Sequence, residues 1–122
     1  MATTDETDVK LMTREQWKNL LSTVVNADFE RPLRRKFRRY AVDGEVRAVG
    51  EIGDVYYKKT WPLIEASING LTAKAESPAP TGAECMVYVN VTGTPMPVKG
   101  TIVHCTQTLG GYKIGIRMEF EE

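Results

Sequence analysis

Two short groups of residues are the ones whose types and spacing could do chemistry. Arg31, Arg34, Arg35, Lys36, Arg38 and Arg39 crowd six of the chain's sixteen basic residues into nine positions. Further along comes Glu65-Ala66-Ser67-Ile68-Asn69-Gly70, which offers a carboxylate, a hydroxyl and a carboxamide, followed by a residue without a Cβ. A guanidinium is a planar fork that grips a phosphate or carboxylate through two parallel hydrogen bonds. Asp28 and Glu30, the acidic residues nearest the cluster in sequence, are too few to neutralise it. The pattern therefore calls for an anion from elsewhere. The bland reading is a solvated connector whose charges pair with Asp43, Glu45, Glu51 and Asp54.

Composition narrows what that anion is. Basic and acidic residues number sixteen each, the formal charge is zero and the pI is about 6.6. A general nucleic-acid binder carries a basic excess, because phosphate neutralisation supplies most of its non-specific affinity. Here the positive charge is local, which suits a small anionic ligand. The first residues, Met1-Ala2-Thr3-Thr4-Asp5-Glu6, are polar and acidic and do not read as a secretory signal. No apolar run approaches the ~20 residues of a membrane span. With only Cys85 and Cys105, both expected to be reduced thiols, a cytoplasmic location is the default.

Catalytic patterns are missing. The sole histidine, His104, has no further ligands at metal-binding spacing, and with Cys105 reads as an ordinary strand pair. Ser67 has no evident histidine partner for a nucleophilic triad. No Gly-rich phosphate loop, HExxH or paired-carboxylate pattern stands out. No enzyme, no metal and no cofactor are expected.

The elements that must position these groups are legible from period and punctuation. Residues 1–12 are expected to form a mobile tail, 13–30 a helix with its connector, and 31–122 a barrel domain. Thr13-Arg14-Glu15-Gln16 fits a capping box, and Trp17, Leu20, Leu21, Val24 and Val25 follow at helical spacing, so a helix is expected over 14–27. Pro32 rules out its continuation.

From Tyr40 the period changes to two. Tyr112, Ile114, Ile116, Met118 and Phe120 alternate with Lys113, Gly115, Arg117 and Glu119 in the clearest strand. Cys85, Val87, Val89 and Val91 mark another, and 101–108 joins the last through a Gly110-Gly111 hairpin. Weaker strands are expected at about 40–49, 54–61 and 71–76. Residues 77–82 and 94–97 read as Pro/Gly loops, and Trp61-Pro62 as a bulge or strand end. Six short strands imply a mainly β, antiparallel barrel or sandwich.

Arg35-Lys36-Phe37-Arg38-Arg39 is an RxxxR motif ahead of the first strand. Glu65-Ala66-Ser67-Ile68-Asn69-Gly70 is a (Asp/Asn)-x-Ser-x-x-Gly-like motif, and Gly111 to Phe120 reads as a closing strand. In this order and spacing, over residues 31–120, they resemble a PilZ domain, the bacterial receptor module for cyclic di-GMP.

The resemblance implies a six-stranded antiparallel PilZ-like β-barrel preceded by an N-terminal α-helix. It also implies a cyclic di-GMP site built from Arg34, Arg35, Arg38, Arg39, Glu65, Ser67, Asn69 and Gly70. By the family's pattern the arginine pair is Arg35 and Arg39, with Arg34 and Arg38 as the other register. Two such arginines would stand ~13 Å apart in a straight strand, but in a loop at the barrel mouth they can converge on a compact ligand.

The family's Asp or Asn accepts from the N1–H and N2–H₂ edge of guanine, and here Glu65 takes that place. The extra methylene displaces the carboxylate, a shift that costs about 1–3 kcal/mol where a bidentate contact is lost in a rigid site. The family's usual helix after the last strand has no counterpart before Glu122, which leaves the 14–27 helix to cover the barrel. The reading implied is a cyclic di-GMP receptor that changes conformation on binding and signals to an unidentified protein partner. Its competitors are a PilZ-like interaction module that binds no nucleotide and an electrostatic binder of nucleic acid or anionic surfaces.

Overall fold

A computed structural model of the chain describes residues 10–25 and 39–120. Residues 1–9 of the expected tail, the end of the expected helix and positions 31–38 of the basic cluster lie outside the described residues.

Helix α1 spans Arg14–Val25 and is capped as its sequence demands. The Gln16 amide N–H donates to Thr13 Oγ1 at 3.1 Å, and the Thr13 N–H donates back to Gln16 Oε1 at 2.9 Å. Together they satisfy two of the donors that a helix start leaves open. The apolar stripe turns Trp17 and Leu21 fully inward, with Leu20, Val24 and Val25 part-buried beside them. Packing begins before the helix: Met12 is buried, and its N–H donates to the Pro97 carbonyl at 2.7 Å.

Six strands follow: β1 (Tyr40–Ile52), β2 (Val55–Ala66), β3 (Gly70–Ala75), β4 (Glu84–Asn90), β5 (Met96–Thr108) and β6 (Gly111–Glu119). They close into an antiparallel barrel in the order β1-β2-β3-β6-β5-β4, so β4 returns to pair with β1. Inward residues alternate as expected, with Val46, Ala48, Val87, Val89, Val98, Ile114 and Ile116 filling the interior. At Leu109-Gly110 the tight hairpin forms, with Gly110 at φ 94°, a backbone geometry that favours glycine.

Two loop expectations differ. Pro62 is neither a bulge nor a strand end but lies inside β2, opposite Glu45. The ladder to β3 begins only at Leu63, so the proline's missing donor is tolerated where that side of the strand is still an edge. Met96 and Pro97 belong to β5, which starts ahead of the expected position 101 because the pairing with Val89 and Tyr88 already holds them.

One end of the barrel gathers the start of β1, the end of β2, the starts of β3 and β5, and the end of β6. Helix α1 closes this end. Its Trp17 indole N–H donates to the Ser67 carbonyl at 2.8 Å, Arg14 donates to Asn69 Oδ1, and the Arg14 guanidinium stacks 4.9 Å over the Phe120 ring. Among the described residues, no helix is long and apolar enough to cross a membrane.

Candidate functional site

On the outer face beside this capped end lies a cleft of about 390 Å³, within the roughly 300–1,000 Å³ typical of small-molecule sites. Arg39, Glu65, Ser67, Asn69 and Gly70 all line it. Arg34, Arg35 and Arg38 lie outside the described residues. The cleft also takes in Thr72 from β3, Val103 and His104 from β5, and Gly115 and Arg117 from β6.

Its floor is one row of the sheet. Ala41 is paired with Glu65, Glu65 with Thr72, Thr72 with Gly115, and Gly115 with His104. Directly opposed residues share a face, so the Glu65, Thr72 and His104 side chains stand together.

Two irregularities put them there. The β2–β3 register shifts between Leu63 and Glu65, and the β5–β6 register shifts between Ile102 and His104. Strict alternation from the buried Trp61 and Leu63 would turn Glu65 inward, and alternation from Ile102 would do the same to His104. An extra residue in each strand reverses the facing. Ala66 and Leu71 then pair inside while Glu65 looks out, and Cys105 pairs with Ile114 behind His104. Two bulges thus aim one carboxylate and one imidazole into a single cleft.

Gly115 makes the room. A Cβ there would come within 2.1 Å of His104 Nε2, so the imidazole lies flat across the glycine. Gly70 is also a matter of space: a Cβ would stand 3.1 Å from the Ile116 carbonyl oxygen.

The turn between β2 and β3 forms the cleft's rim. Ser67 Oγ accepts the Gly70 N–H at 3.0 Å and the Asn69 N–H at 3.3 Å, and the Ser67 N–H donates to the Gly70 carbonyl at 2.8 Å. A Ser side chain that accepts from the backbone two and three residues on is a local turn-former. The Asn69 carbonyl in turn accepts from Met118 N–H at 2.8 Å. Ser67 therefore spends its hydroxyl on the backbone, which leaves its role as a turn-builder clearer than its role as a ligand donor.

The electrostatics are uneven. Glu65 Oε1 is shielded from solvent and has no hydrogen-bond partner among the described residues. An acceptor in that condition favours an incoming donor. Arg117 instead holds Glu119 Oε2 at 3.0 Å, and Thr101 donates to the same oxygen at 3.0 Å. The Arg117 hydrogen bond, helped by Thr101, lowers the Glu119 pKa below its ordinary value. Arg39 is exposed at the mouth, one residue before the β1–β2 ladder starts.

His104, Thr72, Val103 and Arg117 are cleft residues that sequence reasoning missed. The signal was the break in alternation at Ile102-Val103-His104-Cys105 and Leu63-Ile64-Glu65-Ala66, where two apolar residues adjoin ahead of a polar one. Among the described residues, no group of His, Cys, Asp and Glu could hold a metal ion.

Known proteins supply a fold comparison. No protein-family model and no curated protein matches the sequence. Among solved structures, the PilZ domain of YcgR from Escherichia coli with c-di-GMP is similar at a TM-score of 0.56 and 14% identity, over 70% of this chain and 78% of that one. The crystal structure of Escherichia coli YcgR in complex with c-di-GMP is similar at a TM-score of 0.56 and 15% identity, over 70% of this chain. The match spans 38% of that longer protein. At such identities the likeness establishes a PilZ-like fold.

Proposed function

We propose that this PilZ-like barrel is a receptor for cyclic di-GMP, with the ligand seated in the Arg39–Glu65–His104 cleft. One observation carries the reading: the last arginine of the basic segment and the Glu65–Gly70 turn, distant in sequence, line one cleft on the outside of the barrel. The YcgR structures of like fold contain c-di-GMP.

The chemistry follows from the residue types. Arg39, with Arg35 and the neighbouring Arg34 and Arg38 from the segment leading into β1, supplies forks for the two phosphodiester groups or for guanine O6 and N7. Glu65 accepts from a guanine N1–H and N2–H₂ edge, for which its shielded Oε1 is already desolvated. Ser67 and Gly70 shape the rim, and Asn69 holds it against Arg14. The ligand draws residues 31–39 against the turn, and the surface so formed is read by a protein partner. Nothing in this mechanism needs a bond to be made or broken; the protein is a receptor, not an enzyme.

A second reading has one observation behind it. Glu65 stands where the family's Asp or Asn is expected, and a longer carboxylate misplaced in the cleft would leave an interaction module that binds no nucleotide.

Thermal unfolding with cyclic di-GMP, GTP and a short RNA at two salt concentrations separates the readings. A receptor is stabilised by about 2.7 kcal/mol at a hundredfold excess over Kd, and only by the cyclic dinucleotide. No shift with any ligand supports the interaction module. Equal shifts with all three that vanish at high salt would indicate electrostatic binding.

A further inference from the structure

Helix α1 lies outside the stretch that resembles a PilZ domain, yet it grips the turn that forms the cleft's rim. We propose that Trp17 and Arg14 are positioning residues for the ligand, and that the nucleotide site is complete only when α1 is docked. The proposal rests on the cyclic di-GMP reading and goes beyond it by assigning a role to the helix.

The turn has few anchors. Within it, Ser67 Oγ takes the Asn69 and Gly70 N–H groups, and the Ser67 N–H meets the Gly70 carbonyl. These bonds fix its shape but not its placement on the barrel. Beyond the ladder pairs that flank the turn, Ala66 with Tyr40 and Gly70 with Arg117, three contacts hold it in place: Met118 N–H to the Asn69 carbonyl, Trp17 Nε1–H to the Ser67 carbonyl, and Arg14 to the Asn69 side chain. Two of the three belong to the helix.

The helix is in turn well seated. Trp17 and Leu21 are fully buried, so the indole cannot leave the Ser67 carbonyl without undocking α1. Arg14 bridges the turn to the residue that follows β6, because the same guanidinium stacks on Phe120. The rim is thus held between a helix on one side and β6 on the other, at the point where Glu65 and Arg39 must meet a ligand. Binding constellations keep affinity when such supports fix them before the ligand arrives. Coupling runs both ways: a ligand that needs the turn in place also favours the docked helix.

The test uses the full chain, with three variants. Trp17→Phe keeps an aromatic ring and removes the indole N–H, while Arg14→Gln removes the guanidinium without opening a core cavity. Val87→Ala, deep in the barrel and away from the turn, serves as the control for general destabilisation. Two quantities are read: amide hydrogen exchange at Ser67, Asn69 and Gly70 in the ligand-free protein, and the Kd for cyclic di-GMP by calorimetry.

Faster exchange at these three amides in Trp17→Phe and Arg14→Gln but not in Val87→Ala is expected, with Kd raised about five- to tenfold for the loss of one supporting bond. Unchanged exchange in both helix variants overturns the proposal, and so does faster exchange with unchanged Kd. Failure of the wild-type chain to bind, with exchange still faster in the helix variants, would overturn the nucleotide reading alone and leave the helix as the support of the turn. Should Trp17→Phe fail to fold, Arg14→Gln decides by the same two readouts.

Discussion

The imidazole of His104 lies directly across Gly115, its partner in the β5–β6 ladder, so that a Cβ at 115 would meet Nε2 at 2.1 Å. The glycine leaves a shelf on the outer face of a closed barrel, and the histidine lies on it beside Thr72 and Glu65. His104 is at the far end of a side chain that can rotate away, so Gly115→Ala is expected to cost less than about 1 kcal/mol in stability. It should nevertheless redirect the ring and weaken cyclic di-GMP binding. Gly111→Ala is the contrast, because its Cβ would strike the Ala75 carbonyl oxygen at 2.6 Å and backbone cannot swing aside. Chemical denaturation of both variants should show the larger loss at 111.

Glu65 is expected to trade stability for binding. Its shielded Oε1 has no partner among the described residues, and an unsatisfied acceptor of this kind costs about 1–3 kcal/mol. Glu65→Ala should therefore raise the midpoint of urea unfolding in the ligand-free protein and abolish its response to cyclic di-GMP. A variant that is both less stable and fully responsive would remove Glu65 from the site.

Ser67→Ala tests the rim. The substitution strips the acceptor from the Asn69 and Gly70 N–H groups at once, so a loss of about 1–2 kcal/mol is expected. Calorimetric unfolding should show a lower Tm, and exchange at Gly70 should accelerate.

The pair Arg117–Glu119 gives a pH dependence with a defined sign. The Arg117 hydrogen bond lowers the folded-state pKa of Glu119 below its ordinary 4.5. A depressed carboxylate contributes stability that is present above its unfolded pKa and is lost as pH falls through the folded value. Both side chains are more than a third exposed, at 57% and 41%, so screening holds the effect under about 1 kcal/mol. Glu119→Gln should thus lower stability slightly at pH 7, and the gap to wild type should close as the pH is taken below 4.5.

Much of this architecture was legible in the chain. The capping box at Thr13 and the Trp17–Leu21 stripe announce α1, and the alternation from Tyr112 to Phe120 announces the closing strand, because both signals are local and periodic. The motif resemblance implied a site at Arg39, Glu65, Ser67, Asn69 and Gly70, and the fold brings all five to one cleft. His104 was not legible, since its facing depends on a bulge that a period-two reading cannot anticipate. The grip of Trp17 on Ser67 was equally hidden: it spans fifty residues and depends on how the helix closes the barrel. Pro62 misled because its cost depends on whether a neighbouring strand is paired there, which is tertiary information.

The most direct measurement is calorimetric titration of the intact chain with cyclic di-GMP at physiological salt, in the presence of excess GTP. Saturable binding at micromolar Kd or tighter, lost in Arg35→Ala and Arg39→Ala and unmoved by GTP, is the predicted result. The absence of heat at millimolar ligand, with no accompanying rise in Tm, would contradict the receptor reading.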